Sequence, residues 1–191
     1  ELSGLGLATP PGLSGFTGGG RPKPSPVMRL FSYLTPKKDI SVHIQIDGET
    51  IIHKDILAAA SDATKQDIIP PKSPTEAAIE VPLIKLAWGR SGDKGDKANI
   101  GIIARRAEYM PYIWAALTPE MIAATYAHFG AVPAAIDRFF LPGVNAINIL
   151  IDAVLGGGGP ASLRNDAQGK GFAQILLAQK VKVSPSIAEA L

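Results

Sequence analysis

Cysteine is absent from the 191-residue chain. Its absence excludes disulfide bonds, zinc–thiolate sites, iron–sulfur clusters and cysteine nucleophiles. Charged residues are scarce as well, at 19% of the sequence, and 19 lysines and arginines against 17 acidic residues leave a formal net charge of +2. Because the chain has no long basic run, a nucleic-acid-binding surface is not expected.

Long apolar runs are also missing. A membrane-spanning helix needs about 20 consecutive apolar residues. The longest apolar run near the end of the chain, VNAINILIDAVL (144–155), is interrupted by two asparagines and an aspartate. The first residues lack the basic segment and the continuous apolar stretch of a signal peptide. These absences predict a cytoplasmic protein that does not enter a membrane.

The first part of the chain differs from the rest in its amino-acid composition. Glycine and proline are frequent at its start, and ISVHIQIDGE (40–49) alternates apolar and polar residues before an Asp47-Gly48 turn signal, as a strand does. We interpret residues 1–55 as an irregular extension that contains one or two strands and as the cut end of something larger. Residues 56–80 include Pro70-Pro71 and Ser73-Pro74, which favour an extended linker.

Residues 81–183 predict an α+β domain, followed by a tail at 184–191. Thr118, Pro119 and Gly130 give the clearest helix its start and stop signals, and Pro142-Gly143 predicts a hairpin turn. The order β-β-α-β-β-α-β contains the split βαβ arrangement of a ferredoxin-like sandwich. The predicted strands are LIKLAW (83–88), NIGIIARR (99–106), DRFFL (137–141), VNAINILIDAV (144–154) and VKV (181–183), and the helices are PYIWAAL (111–117), TPEMIAATYAHFG (118–130) and FAQILLAQK (172–180).

The stretch RSGDKGDKANIG (90–101) is interpreted as a glycine-rich loop between two strands. Glycines let a ligand approach the backbone closely, successive N–H groups can form an anion nest, and arginine and lysine bind phosphate or carboxylate. The alternative, a strand connection solvated by its own charges, stays open. The candidate ligand-binding residues are Arg90, Ser91, Gly92, Asp93, Lys94, Gly95, Asp96, Asn99 and Gly101.

A second glycine-rich loop, LGGGGPASLRNDAQGKG (155–171), precedes the last helix. Four consecutive glycines are costly in backbone entropy, and helix N-termini favour anions, so we expect a binding role here too. A flexible surface loop with a capped helix is the alternative, with the aspartate as the cap. The candidate ligand-binding residues are Gly157, Gly158, Arg164, Asp166 and Lys170.

Other chemistry is more weakly indicated. Asp93, Asp96 and Asp166 could form a Mg²⁺ site, although no metal-binding motif is present and we assign no metal. Ser91 has no histidine near it in sequence and therefore lacks the signature of a nucleophile. No catalytic residue is assigned, and whether the chain is an enzyme stays open. Trp88 and Trp114 are expected in the core or at an interface.

The two glycine-rich segments carry a family resemblance. RSGDKGDKANIGIIARR (90–106) and SLRNDAQGKGFAQILL (162–177) resemble the C-terminal ferredoxin-like module of the acyclic terpene utilisation (AtuA) family, over residues 81–183. Residues 21–49 resemble the closing segment of that family's large N-terminal α/β domain, which implies that residues 1–55 are the remnant of the end of such a domain. The resemblance implies a role in the catabolism of acyclic terpene-derived, branched acids handled as CoA thioesters. It implies no cofactor other than such a thioester as ligand.

Two functions follow as hypotheses. In the first, the glycine loops bind a small anionic metabolite or an acyl-CoA, so that Arg90→Ala and Lys94→Ala abolish binding and leave the fold intact. In the second, the chain is a non-catalytic interaction module. Its partner is then an N-terminal AtuA-like domain, another chain, or a second copy in a homo-oligomer.

Overall fold

The computed structural model describes residues 24, 26–29, 31–53 and 68–191. The expectations for residues 1–23 and for the first part of the proposed linker, up to residue 67, lie outside this range. Within it the protein is an α+β structure with antiparallel sheets, as predicted. No helix in the described segments is long and apolar enough to cross a bilayer.

A two-stranded hairpin lies in the N-terminal extension. Strand β1 (Val42–Ile46) pairs antiparallel with β2 (Glu49–His53) across the predicted turn at Asp47 and Gly48. Both turn residues have positive φ, 49° and 84°, which Asp and Gly tolerate best. Every residue of the two strands is exposed. The predicted strand is therefore confirmed, but this hairpin contributes nothing to the core.

Four strands form the main sheet, and two more form a separate pair. The main sheet has the order β4-β5-β7-β6 with all neighbours antiparallel, while β3 pairs antiparallel with β8. This places β7 between β5 and β6, as the split βαβ arrangement requires. The strands are β3 (Ile79–Pro82), β4 (Ala87–Lys94), β5 (Lys97–Ala104), β6 (Ile136–Leu141), β7 (Ala146–Ile151) and β8 (Lys180–Val183).

The helices are short, and their ends follow local signals. The Thr118 hydroxyl accepts the N–H of Met121 at 3.2 Å and starts α3, and Gly130 ends the helical segment in the left-handed conformation with φ of 86°. Both predictions are confirmed. The helices are α1 (Leu83–Leu86), α2 (Met110–Ala116), α3 (Pro119–Thr125), α4 (Phe172–Leu177) and α5 (Pro185–Glu189), the last of which lies in the predicted tail.

One face of the main sheet is buried against the helices. On the two central strands every second residue points to this core, including Ile100, Ile102, Ile147 and Ile149, all fully buried. Ile113, Ile122 and Leu176 from α2, α3 and α4 join the same cluster. The intervening residues of the strands point to the opposite face, which the helices leave open.

The structure corrects three strand predictions. Residues 83–86 form a helical turn, so the first predicted strand, 83–88, is wrong over most of its length. Residues 90–101 are not a long loop, because β4 and β5 run through them to a two-residue turn. Strand β8 does not join the main sheet but pairs with β3, which begins at Ile79, inside the proposed linker. Edge strand β4, paired only with β5, flanks the sheet instead.

Candidate functional site

The segment 90–101 is a β-hairpin whose turn is Gly95-Asp96. Strand alternation decides where its side chains go, because successive residues point to opposite faces. Arg90 and Lys94 are exposed on the open side, whereas Ser91 is buried on the helix side. The polar segment that suggested a loop thus contains an edge strand, and its exposed residues Arg90 and Lys94 form the outer face of that strand.

The second glycine loop docks on the tip of this hairpin. The Asp96 carboxylate accepts the N–H of Gly157 at 2.7 Å, and the Asp96 carbonyl accepts the N–H of Leu155 at 3.3 Å. Gly158 is buried with φ of +77°, and a Cβ built on it would lie 2.6 Å from the Gly95 carbonyl oxygen. The two predicted loops therefore meet, and four of their candidate residues, Gly95, Asp96, Gly157 and Gly158, form the contact.

Asp166 and Arg164 fix the remainder of this loop. The Asp166 carboxylate accepts the N–H groups of Lys170 at 2.7 Å and Gly171 at 2.8 Å, just before α4 begins. The prediction that Asp166 is the N-cap is wrong, because Gly171 occupies that position and the Asp166 carboxylate instead holds the turn before the helix. The Arg164 guanidinium donates to the carbonyls of Val154 and Phe129 and lies 5.3 Å from the Phe129 ring centre. Both side chains thus bind the protein itself.

Ser91 joins the hairpin to the start of α4. Its hydroxyl is 6% exposed, donates to the Lys170 carbonyl at 3.1 Å and accepts the N–H of Ala173 at 2.9 Å. Both of its hydrogen-bonding functions are used within the fold. The hydroxyl therefore links β4 to the backbone of Lys170 and Ala173, and we call this link the Ser91 bridge. A nucleophilic role for Ser91 has no support.

Substituting Ser91 by alanine is expected to lower the free energy of unfolding by about 1–3 kcal/mol, since it leaves the buried N–H of Ala173 without its partner and removes a bond to the Lys170 carbonyl. Urea denaturation of the variant measures this loss. The matched control is Ser162→Ala, because Ser162 accepts only a local N–H, from Arg164 at 3.2 Å. Equal stability of S91A and the wild type would contradict a stabilising role of the Ser91 bridge.

Beside the hairpin lies an open cleft of about 370 Å³. Among the residues that the structure describes, those that line it were all predicted as ligand-binding residues: Arg90, Ser91, Gly92, Asp93, Lys94, Asn99, Gly101 and Lys170. Lys170 reaches it from the second loop, and its Nζ lies 3.2 Å from where a Cβ on Gly92 would be. The small glycines leave the floor open to a ligand.

Positive charge dominates the cleft, where three cations face one carboxylate, that of Asp93. Within the described residues none of these cations, Arg90, Lys94 or Lys170, forms a salt bridge. Lys94 Nζ donates only to the Asp93 carbonyl, at 3.0 Å. The neighbouring Lys97 is different, because its Nζ lies 2.8 Å from the Asp152 carboxylate, which raises the pKa of Lys97.

Asn148 is a contributor that the sequence did not identify. The Asn99 side-chain amide donates to the Asn148 side-chain oxygen at 2.8 Å, which fixes Asn99 at the cleft. Asn148 lies opposite Gly101 in the strand register. The sequence signal for Asn148 was a polar residue among the apolar residues of β7. Only the folded structure shows that this residue contacts Asn99.

The other predicted site residues do not line this cleft. Gly157 and Asp96 border a second cavity of about 530 Å³, together with Val27 and Arg29 of the N-terminal extension. Asp93, Asp96 and Asp166 do not form the metal site considered as a weaker hypothesis. Among the residues that the structure describes, no cluster of three histidine, aspartate or glutamate side chains is placed to hold a metal ion.

The model of the AtuA ferredoxin-like domain family matches residues 81–182, more than half of the 191-residue chain. The chain therefore belongs to this family, and the resemblance drawn from its two glycine-rich segments is confirmed. The matched region contains the complete main sheet and all residues of the cleft. Comparison with curated proteins and with solved structures finds no match.

Proposed function

We propose that this domain binds the anionic end of a small metabolite in the cleft between the β4–β5 hairpin and Lys170. The observation that carries the proposal is the set of three cations around one cleft, with a single carboxylate among them. A carboxylate or phosphate group would complete the charge balance. Arginine offers a planar fork to such a group, and lysine adds a point charge.

The surroundings suit a small group better than a whole cofactor. About 370 Å³ lies at the lower end of the range of small-molecule sites, roughly 300–1,000 Å³. The glycines at positions 92 and 101 allow the ligand to lie against the backbone. The hydrogen bonds of Ser91 and Asp166 hold the backbone of Lys170 in place before binding, which reduces the ordering cost of association.

The substrate class is proposed from family membership. The family's name connects this domain with acyclic terpene utilisation, and a branched acyl-CoA is the ligand that combines such an acid with phosphate groups. We propose that the cleft receives one charged end of that molecule, with the rest extending along the open side of the hairpin. No chemical step is assigned to this chain.

Calorimetric titration of the full chain with a branched acyl-CoA tests the proposal. We expect saturable binding that weakens about tenfold, or about 1.4 kcal/mol, in Arg90→Ala and in Lys170→Ala, with Lys94→Ala weakened in the same direction. Higher ionic strength should weaken binding as well, because exposed charges are screened. Lys85→Ala is the matched control, since Lys85 is an exposed lysine outside the cleft.

Free CoA and inorganic phosphate serve as the second and third ligands. Equal affinity for CoA and acyl-CoA would show that the cleft recognises phosphate and not the acyl group. Equal affinity of the K170A and K85A variants would place any binding outside the cleft. Absence of heat with all three ligands would overturn the proposal.

The N-terminal hairpin supports a second function, that of an interaction module. Val42, Ile44, Ile46 and Ile51 lie on one face of it and are 40–56% exposed. An isolated two-stranded hairpin is marginally stable in water. We propose that this face packs on a larger N-terminal domain or a partner chain, so that Ile44→Asp would abolish co-purification with that domain without changing ligand affinity.

A further inference from the structure

On the open face of the main sheet, the strand register places the side chains in rows that run across the four strands. One row across the four strands is Trp88, Ile103, Ala146 and Leu141, and the next is Arg90, Gly101, Asn148 and Phe139. The largest apolar side chains at the two edges are half exposed, with Trp88 at 53%, Phe139 at 46% and Leu141 at 42%. An apolar surface of this kind commonly marks an interaction site.

Charge is also distributed across this face. Arg90 lies on the β4 edge, and Asp137, in the row after Phe139, lies on the β6 edge. Opposite charges therefore occupy opposite edges of the same surface. A partner that matches it must present an anion to the first edge and a cation to the second, with apolar groups beside both.

We propose that this face binds the same face of a second copy of the chain. A two-fold axis lying in the interface along the strand direction places β4 of each copy over β6 of the other. Trp88 then meets Leu141 of the second copy, and Arg90 meets its Phe139. Residues two apart on a strand are about 7 Å from each other, so the arginine also reaches Asp137 of the second copy.

This arrangement is self-complementary because each contact occurs twice. It pairs apolar with apolar residues, places a guanidinium on an aromatic ring and brings Arg90 of one copy near Asp137 of the other, all with residues from a single surface. Two sheets stacked in this way lie about 10 Å apart with their strands inclined by about 30°, the common aligned packing. The interface shares Arg90 and Gly101 with the cleft, so the dimer covers the cleft, and we expect ligand binding and dimerisation to exclude each other.

Sedimentation velocity of the full chain over a concentration series tests the interface. We expect a monomer–dimer equilibrium in the wild type, and at least about tenfold weaker dimerisation in Leu141→Asp and Phe139→Asp. Leu163→Asp is the matched control, because Leu163 is fully exposed on the second glycine loop, away from the face. Thermal unfolding checks that each variant is folded, as its exposed position predicts.

A charge exchange distinguishes this interface from others. Arg90→Glu alone should weaken dimerisation, and Arg90→Glu with Asp137→Arg should restore it, since both edges of both copies are then reversed together. A wild type that stays monomeric, as it would if another domain or the β1–β2 hairpin covered the face, overturns the proposal. So does a dimer insensitive to L141D, or a double variant that does not recover.

Discussion

Replacing Phe172 by alanine is expected to lower the free energy of unfolding by about 3–5 kcal/mol, the usual loss for a fully buried phenylalanine. Phe172 is 1% exposed and begins α4. Its ring stacks between Tyr126 at 4.9 Å and Phe129 at 4.8 Å, so truncation removes the middle of a three-ring stack. Urea denaturation followed by circular dichroism measures the change.

A hydrogen bond also holds the backbone at the start of α4. The Tyr126 hydroxyl donates to the Phe172 carbonyl at 2.6 Å, and burial raises the pKa of Tyr126, so this bond persists through the physiological range. Phe139→Ala is the matched control, since that phenylalanine is 46% exposed on the open face. A loss in F172A no larger than that in F139A would contradict the packing described for α4.

Gly158→Ala is expected to destabilise the protein by about 2 kcal/mol or more. A left-handed conformation costs a residue with a Cβ about 1–2 kcal/mol. The new methyl group would also lie 2.6 Å from the Gly95 carbonyl oxygen, which is backbone and cannot rotate away. The loop must therefore separate from the hairpin, and we expect ligand affinity to fall together with the melting temperature.

Gly159→Ala provides the comparison, because it changes the adjacent glycine in the same loop. A Cβ there would meet nothing within 4 Å, and its φ lies outside the left-handed range. Its stability should stay within about 0.5 kcal/mol of the wild type. If the G158A and G159A variants unfolded at the same urea concentration, the close contact between the two glycine segments would be refuted.

Elements whose signals are local could be predicted from the sequence. The helix after Thr118 has its cap, its proline and its terminal glycine within one short segment, and its limits follow from these residues. The β6–β7 hairpin likewise follows from Pro142-Gly143 between two apolar runs. The α+β class and the family followed from such segments taken in order.

Features that depend on distant residues could not be predicted. The segment 90–101 has the composition of a loop, but it is extended because β4 and β5 pair within it, with Arg90 and Lys94 on the open side and Ser91 on the helix side. Ser91 and Lys170 are bonded although 79 positions separate them. Sequence patterns pointed to the described residues that line the cleft. They did not show that the side chains of Ser91, Asp96, Arg164 and Asp166 form their hydrogen bonds within the protein.

The pairing of β3 with β8 determines how the domain responds to mechanical tension. Ile79 lies opposite Val183, so the first residue of β3 is beside the last residue of β8. A pulling force applied through the chain on either side would load this end of the ladder alone. Its hydrogen bonds would break one after another, like a zipper, before the force reached the main sheet. The domain would therefore yield first at this pair, with Val181 and Val183 leaving the core, while the main sheet and the cleft stayed intact.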